Sequence, residues 1–146
     1  MKNLLLAIIL TMVLFTLPAM AQEKHVAIFK DITGSIEVLR GNETLQATSG
    51  MQLLQSDKIH SYEESSAGIV FNDGTLLTLG ESTDIEINLY VFKPEVQKYA
   101  FDLNVNKGQA IYSSGKIGKL SPESVDIRTP RAVVGVRGTR FIVKVD

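Results

Sequence analysis

The sequence contains no cysteine and only two histidines among its 146 residues. The absence of cysteine excludes disulfide bonds, a thiol nucleophile, a zinc–thiolate site and a lipidated cysteine. His25 and His60 are too few for most metal sites or proton relays, and neither lies in a recognisable catalytic motif. We therefore expect no catalytic residue, no metal and no cofactor, and we expect that the protein is not an enzyme.

Long apolar runs are absent except at the start of the chain, over residues 4–17. Lys2 precedes this run and the small residues Ala19 and Ala21 follow it, which is typical of a secretory signal peptide. We predict a signal peptide over residues 1–21, cleaved after Ala21, and a periplasmic or secreted protein with no stable membrane span after cleavage. The alternative is an uncleaved N-terminal helix that anchors the chain, although a bilayer needs ~20 apolar residues as helix.

Charge is distributed unevenly, although the formal net charge is only −1. Residues 22–106 carry 6 basic and 13 acidic side chains, whereas residues 107–146 carry 8 basic and 3 acidic ones. A basic segment could bind nucleic acid, an anionic polymer or an acidic partner. In an exported protein we expect no nucleic acid, and we expect the acidic and basic halves to neutralise each other within one domain.

The residues after Ala21 have no helical apolar period, whereas short stretches of period two recur throughout. The pattern predicts roughly ten short strands joined by tight turns. The predicted fold is therefore all-β, an antiparallel two-sheet sandwich or jelly-roll-like domain, with a short β-solenoid as the alternative. Residues 22–32 are interpreted as an N-terminal strand and linker, and residues 33–146 as the domain.

The strongest local signal is a β-hairpin in which residues 67–71 and 75–79 flank the turn residues Asp73 and Gly74. An Asp-Gly turn needs positive φ, which glycine adopts without steric cost. Isolated Asp-Gly pairs also occur in calcium loops, but the spaced oxygen ligands of such a loop are missing here. A plain hairpin turn is the favoured interpretation.

Alternation predicts a second strand pair over residues 84–92 and 96–105, with aromatic side chains that face each other across the two strands. Residues 106–108 predict a turn, and residues 113–123, rich in Ser, Gly, Lys and Pro, predict a mobile loop. A carbohydrate platform is the alternative interpretation of the aromatic residues, which are Tyr90, Phe92, Tyr99 and Phe101.

The last twenty residues carry the most specific motif of the chain. An alternating strand is followed by Thr-Pro, Ala and then Val-Arg-Gly-Thr-x-Phe, at Thr129, Pro130, Ala132, Val136, Arg137, Gly138, Thr139 and Phe141. This run resembles the signature of the FecR domain, named after the regulator of iron-dicitrate transport. The family's L-x-x-G-D-x-I turn, Asp-Gly hairpin and later glycine have counterparts at Leu53, Asp57, Ile59, Asp73, Gly74 and Gly108, with Ser56 replacing the glycine of the turn.

The resemblance covers roughly residues 33–145 and implies a regulatory role. Iron-responsive members of the family carry a cytoplasmic segment that controls a sigma factor, whereas only residues 1–3 precede the apolar run here. We therefore expect an exported FecR-domain module without that segment, which binds or senses an envelope protein or a ligand. The alternative is a structural or scaffold β-domain of an envelope assembly that has no small ligand.

Arginines cluster in the basic C-terminal segment. Arg137 is expected to pair with an acidic residue of the first half, such as Asp57 or Asp73, and so to tie the last strand to the sheet. The alternative is a partner-binding or anion-binding site built from Arg137 together with Arg128, Arg131 and Arg140.

The sequence stops at Asp146, where FecR domains usually continue with a further strand pair. Residues 141–145 are therefore expected to form an unpaired edge, which would invite a partner. Either the product is truncated or another chain supplies the pairing. Pro130 lacks an amide hydrogen and is expected at a strand start or edge.

Overall fold

The structure is a computed structural model, and it describes residues 24–137 and 139–146. The predicted signal peptide over residues 1–21 and the motif residue Gly138 lie outside the described residues. Twelve strands and one short helix, α1, are found in the described part, together with 3₁₀ turns at Pro94–Val96 and Pro122–Ser124. The elements are β1 Ala27–Thr33, β2 Ile36–Arg40, β3 Glu43–Gln46, β4 Gln52–Leu53, β5 Lys58–Ser61, β6 Ser66–Phe71, β7 Leu76–Leu79, β8 Asp84–Lys93, β9 Lys98–Ser113, α1 Lys116–Leu120, β10 Val125–Arg128, β11 Val133–Gly135 and β12 Arg140–Val145.

The fold is all-β, as the alternation predicts. The strands form one continuous hydrogen-bonded sheet in the order β3-β2-β5-β8-β9-β7-β6-β1-β4, with β10, β11 and β12 attached beside β9. Most neighbours are antiparallel, but β10 runs parallel to β9. Hydrogen bonding is thus unbroken from one side of the fold to the other, and the division into two separate sheets stays a prediction.

Strand β9 joins the two arms of this curled sheet. Its first part pairs with β8 and β10, and its last part pairs with β7 and β12. The inward-facing residues change parity along it, from Phe101, Leu103 and Val105 to Ala110 and Tyr112. Gly108 lies at this change with a φ of +86°. The predicted turn at residues 106–108 is therefore wrong, because the chain passes through a kink and continues as strand.

The core lies between the two arms, where aromatic rings from both meet. The ring of Phe71 on β6 lies 4.8 Å from that of Phe101 on β9 and 5.4 Å from that of Tyr90 on β8, measured between ring centroids. The hairpin at Asp73 and Gly74 is confirmed, since β6 and β7 pair across it. The expected cross-strand aromatic pairs are also confirmed, because Tyr90 faces Phe101 and Phe92 faces Tyr99 in the register of β8 and β9.

The segment predicted as a mobile loop, residues 113–123, forms defined structure instead. Helix α1 begins after Gly115, and Ile117 on this helix is fully buried. The backbone N–H groups of Lys116 and Ile117 both donate to Asp73, on the β6–β7 turn. The composition of residues 113–123 predicts a loop. The contact with Asp73 leaves no signal in that composition, because it joins residues that are far apart in sequence.

Ser56 adopts a left-handed backbone conformation, with a φ of +72°. This is the position where the FecR signature that the sequence resembles has glycine, and a side chain strains the backbone in this conformation. We predict that Ser56→Gly stabilises the domain by about 1 kcal/mol, because the backbone keeps its conformation without a Cβ. Chemical denaturation followed by circular dichroism measures the gain. A variant less stable than the parent chain would show that the serine side chain makes a compensating contact.

Candidate protein-binding site

Two aspartates in the motifs that resemble the FecR signature, Asp57 and Asp73, are buried and hydrogen-bonded. Asp57 is 1% exposed and forms a bidentate ion pair with Arg40. The Nε of Arg40 donates to Oδ1 at 2.9 Å, and its Nη2 donates to Oδ2 at 2.8 Å. The N–H of Leu54 also donates to Oδ2, at 2.8 Å. Arg40 further donates to the carbonyl of Gln52 at 3.0 Å. The pair therefore fastens the turn before β5 to the end of β2.

Asp73 is 2% exposed, and its carboxylate accepts four hydrogen bonds. Thr75 donates its N–H to Oδ1 at 3.2 Å and its hydroxyl to Oδ2 at 2.8 Å. The hydroxyl of Tyr90 donates to Oδ1 at 3.1 Å, and the N–H of Ile117 donates to Oδ2 at 3.0 Å. One carboxylate thus joins the β6–β7 turn, β8 and α1.

The tyrosine hydroxyls around this carboxylate stay protonated. Burial, reinforced by the negative charge of Asp73, raises the pKa of Tyr90 far above its ordinary value. Burial likewise raises the pKa of Tyr112 on β9. Neither hydroxyl is therefore poised to ionise near neutral pH, and the cluster around Asp73 is suited to holding elements together.

The predicted pairing of Arg137 with Asp57 or Asp73 is wrong. Asp57 is taken by Arg40, and Asp73 is satisfied by neutral donors. Arg137 is exposed and lines a cleft of about 500 Å³ together with Glu123 and Asp126. Sequence reasoning missed Arg40, although it is the one basic residue between positions 31 and 57.

The remaining arginines of the predicted cluster are spread over the sheet. Arg128 on β10 donates to Asp102 at 2.8 Å, and this hydrogen bond raises the pKa of the guanidinium group. Arg131 is exposed in the turn after β10. Arg140 begins β12 and faces Ser113, whereas Arg128 faces Asn104, nine positions earlier on β9. At about 3.3 Å per residue, Arg128 and Arg140 therefore lie up to roughly 30 Å apart along β9.

The Thr-Pro part of the motif forms a tight turn. Thr129 donates its N–H to the carbonyl of Ala132 at 2.8 Å, and its hydroxyl accepts from the N–H of Ala132 at 3.1 Å. Pro130 is exposed within this turn, between β10 and β11, so the prediction that it lies at a strand start or edge is wrong.

The last motif residues attach β12 to β9. The carbonyl of Thr139 accepts from the N–H of Ser114 at 2.7 Å. The ring of Phe141 stacks on that of Tyr112 at 5.0 Å between centroids. The predicted unpaired edge over residues 141–145 is limited to one side of the strand, because β12 pairs antiparallel with the last part of β9 along its whole length.

The other edge of β12 is open within residues 24–137 and 139–146, where β9 is its one partner strand. Ile142 lies on the outer face of this strand with 62% of its side chain exposed, opposite Ile111. Arg140 and Lys144 on the same face are exposed too. An open strand edge that carries a large exposed apolar side chain is a site where another strand can add. Residues 141–143 are all apolar. Because side chains alternate between the two faces of a strand, this run alone indicates that an apolar side chain faces outward.

A second surface feature is a groove on the outer face of β2, β5 and β8. His60 Nδ1 lies 2.5 Å from Asp84 Oδ1, and the rings of His60 and Tyr62 meet edge to face. The Tyr62 hydroxyl donates to Glu37 at 2.9 Å, and this bond raises the Tyr62 pKa. The groove has a volume of about 430 Å³. His60 thus faces Asp84, and no group of three or more acidic or histidine side chains in the described residues is arranged to hold a metal.

The described residues thus form an all-β domain in which Asp57 and Asp73 are buried and the C-terminal motif attaches β12 to β9. A family model described as FecR protein matches residues 57–146, more than half of the chain. The chain belongs to the FecR family, a regulatory family of the cell envelope. A search of curated proteins and a search of solved structures gave no match to this chain. Among the described residues, no helix has the length and apolar character needed to cross a membrane.

Proposed function

We propose that this chain is an exported, non-catalytic module that binds or senses a protein partner in the cell envelope. The observation that carries the proposal is the open outer edge of β12 with Ile142 exposed on it. Cleavage after Ala21 would release the domain into the periplasm or the medium, whereas an uncleaved N-terminal segment would tether it. The domain is proposed to span residues 33–146.

Several observations support a role without catalysis. The FecR family is regulatory. The buried carboxylates that resemble catalytic acids in their burial, Asp57 and Asp73, are saturated by Arg40 and by backbone and hydroxyl donors. A general acid or base must be able to reach a substrate proton, and these groups are enclosed.

The edge is tested by capture from an envelope extract with the full chain as bait. Ile142→Lys places a charge on the edge strand, which natural proteins use to block strand addition. Leu120→Lys is the matched control, because Leu120 is as exposed as Ile142, at 61% against 62%, but belongs to the short helix α1 and not to a strand edge. We expect Ile142→Lys to reduce recovery of the captured protein at least about tenfold, which corresponds to 1.4 kcal/mol of binding. Equal recovery by the two variants would remove the edge from the proposal.

The groove beside His60 favours a second candidate, in which the domain senses a small ligand. Its volume of about 430 Å³ lies in the range of small-molecule sites. A thermal-shift screen with ferric chelates and sugars separates this candidate from the scaffold alternative. A rise in melting temperature that is lost in Tyr62→Ala supports ligand sensing, whereas an unchanged melting temperature with every compound supports the scaffold.

A further inference from the structure

The backbone of β12 presents alternate residues to its open edge. Thr139 uses its carbonyl toward β9, where it accepts from Ser114. Successive residues of a strand direct their N–H and C=O groups to opposite sides, so Phe141, Val143 and Val145 also bond toward β9. The groups left facing outward therefore belong to Arg140, Ile142 and Lys144, followed at the strand end by Asp146.

The charges of these outward residues are self-complementary when two copies of β12 pair antiparallel. Read along the edge they are basic, apolar, basic and acidic: Arg140, Ile142, Lys144 and Asp146. All four are exposed. In an antiparallel pair of identical strands, Arg140 stands opposite Asp146 when Val143 stands opposite Val143. Because the pair is symmetric, this attraction occurs twice.

The neighbouring registers are disfavoured by the same charges. A shift that places Ile142 opposite Ile142 sets Arg140 against Lys144, and it does so twice. A shift the other way sets Lys144 against Lys144. Directly opposed like charges destabilise a strand pair, whereas opposed opposite charges stabilise it. Among the registers in which the outward N–H and C=O groups of two β12 strands face each other, the charges therefore favour the one with Arg140 opposite Asp146.

From this pattern we infer that the outer edge of β12 takes β12 of a second copy of this chain, antiparallel, with Arg140 opposite Asp146. The inference rests on the proposed function, namely that this edge accepts an added strand, and it specifies the occupant. The pairing is isologous, as in most symmetric dimers. It sets Ile142 opposite Lys144, whose aliphatic stem covers the exposed apolar side chain.

Cysteine cross-linking tests the register, because the chain has no cysteine of its own. Ile142→Cys and Lys144→Cys are made in separate full-length chains, which are exported, purified, mixed and treated with a mild oxidant. Directly opposed hydrogen-bonded residues have Cα atoms about 5.5 Å apart, which suits a disulfide. We expect the mixture to give several times more disulfide dimer than either variant alone. Stronger cross-linking by Ile142→Cys alone or Lys144→Cys alone would indicate one of the rival registers and overturn the inference, as would equal or absent cross-linking in all three samples.

Sedimentation of the purified full chain, from tens to hundreds of micromolar, tests the self-association directly, since so short an edge predicts a weak dimer. Ile142→Pro removes an outward N–H and leaves the bonds to β9, so it is expected to stay monomeric while melting like the parent chain. Arg140→Asp and Asp146→Arg are each expected to weaken the dimer, and the double variant to restore it. A parent chain that is monomeric throughout, or an Ile142→Pro variant that dimerises equally, would overturn the inference.

The two proposals fail separately. A purified chain that stays monomeric but loses its captured protein on Ile142→Lys keeps the proposed function and contradicts the second copy as occupant. A chain that dimerises through β12, while Ile142→Lys leaves capture of another protein unchanged, supports the second copy and removes the edge from binding that other protein.

Discussion

Replacing Gly108 with alanine is expected to destabilise the domain by roughly 3–5 kcal/mol, enough to remove most of the stability of a typical domain. The backbone φ of +86° disfavours any side chain there. A Cβ at this position would lie 2.3 Å from Thr83 Oγ1, 2.6 Å from Thr83 Cα and 2.7 Å from the Ser82 carbonyl oxygen. Two of these are backbone atoms, and β9 cannot move away from them because it is hydrogen-bonded on both sides.

Gly50→Ala separates the strain of the backbone from the steric clash. Gly50 has nearly the same φ, +85°, but no heavy atom beyond its two chain neighbours lies within 4 Å of the position of its Cβ. We expect this variant to lose only about 1 kcal/mol. Urea denaturation followed by circular dichroism compares the two variants with the parent chain. Equal losses would mean that Thr83 yields and that the kink in β9 tolerates a side chain.

Removing the Asp73 carboxylate is expected to cost about 3–4 kcal/mol. Asp73→Ala leaves the hydroxyl and N–H of Thr75, the hydroxyl of Tyr90 and the N–H of Ile117 without their acceptor. A buried donor that loses its partner costs about 1–3 kcal/mol, and relaxation of α1 recovers part of the sum. The loss is measured by chemical denaturation, and weaker protection of the amides of α1 from hydrogen exchange is expected with it.

Asp126→Ala is the matched control for Asp73→Ala. Asp126 is also an aspartate, but it is 43% exposed, and its partner Arg128, which lies 3.4 Å away, is 43% exposed too. Exposed ion pairs contribute about 0–1 kcal/mol, so this variant is expected to remain close to the parent chain. If the two variants lost similar amounts, Asp73 would act as an ordinary turn residue and the anchoring of α1 would need another explanation.

The sequence predicted those parts of the fold that depend on local alternation. The β6–β7 hairpin and the facing aromatic residues of β8 and β9 follow from period-two patterns and one Asp-Gly turn. The kink at Gly108 escaped prediction because it shifts the inward-facing phase by one residue. A shift of that kind is indistinguishable from a turn when the sequence is read alone.

The hydrogen-bond and ion-pair partners of Asp57 and Asp73 were harder to predict than the strands, because they are distant in sequence. The geometry of a bidentate arginine suggested that Arg137 would pair with Asp57 or Asp73, but Arg40 at the end of β2 pairs with Asp57 instead. Helix α1 has a composition typical of loops, and it owes its place to Asp73, more than forty residues earlier. In both cases the register of strands that are far apart in sequence decides which side chains meet, and no local pattern encodes that register.

Because β9 pairs with strands of both arms of the sheet, the two arms cannot separate without breaking hydrogen bonds to β9. Separation of β9 from its neighbours would expose core rings such as Phe71 on β6 and Phe101 on β9, so partial opening is expected to be costly. We therefore expect the domain to unfold as a single cooperative unit, and we expect the amides that exchange hydrogen most slowly to lie along β9.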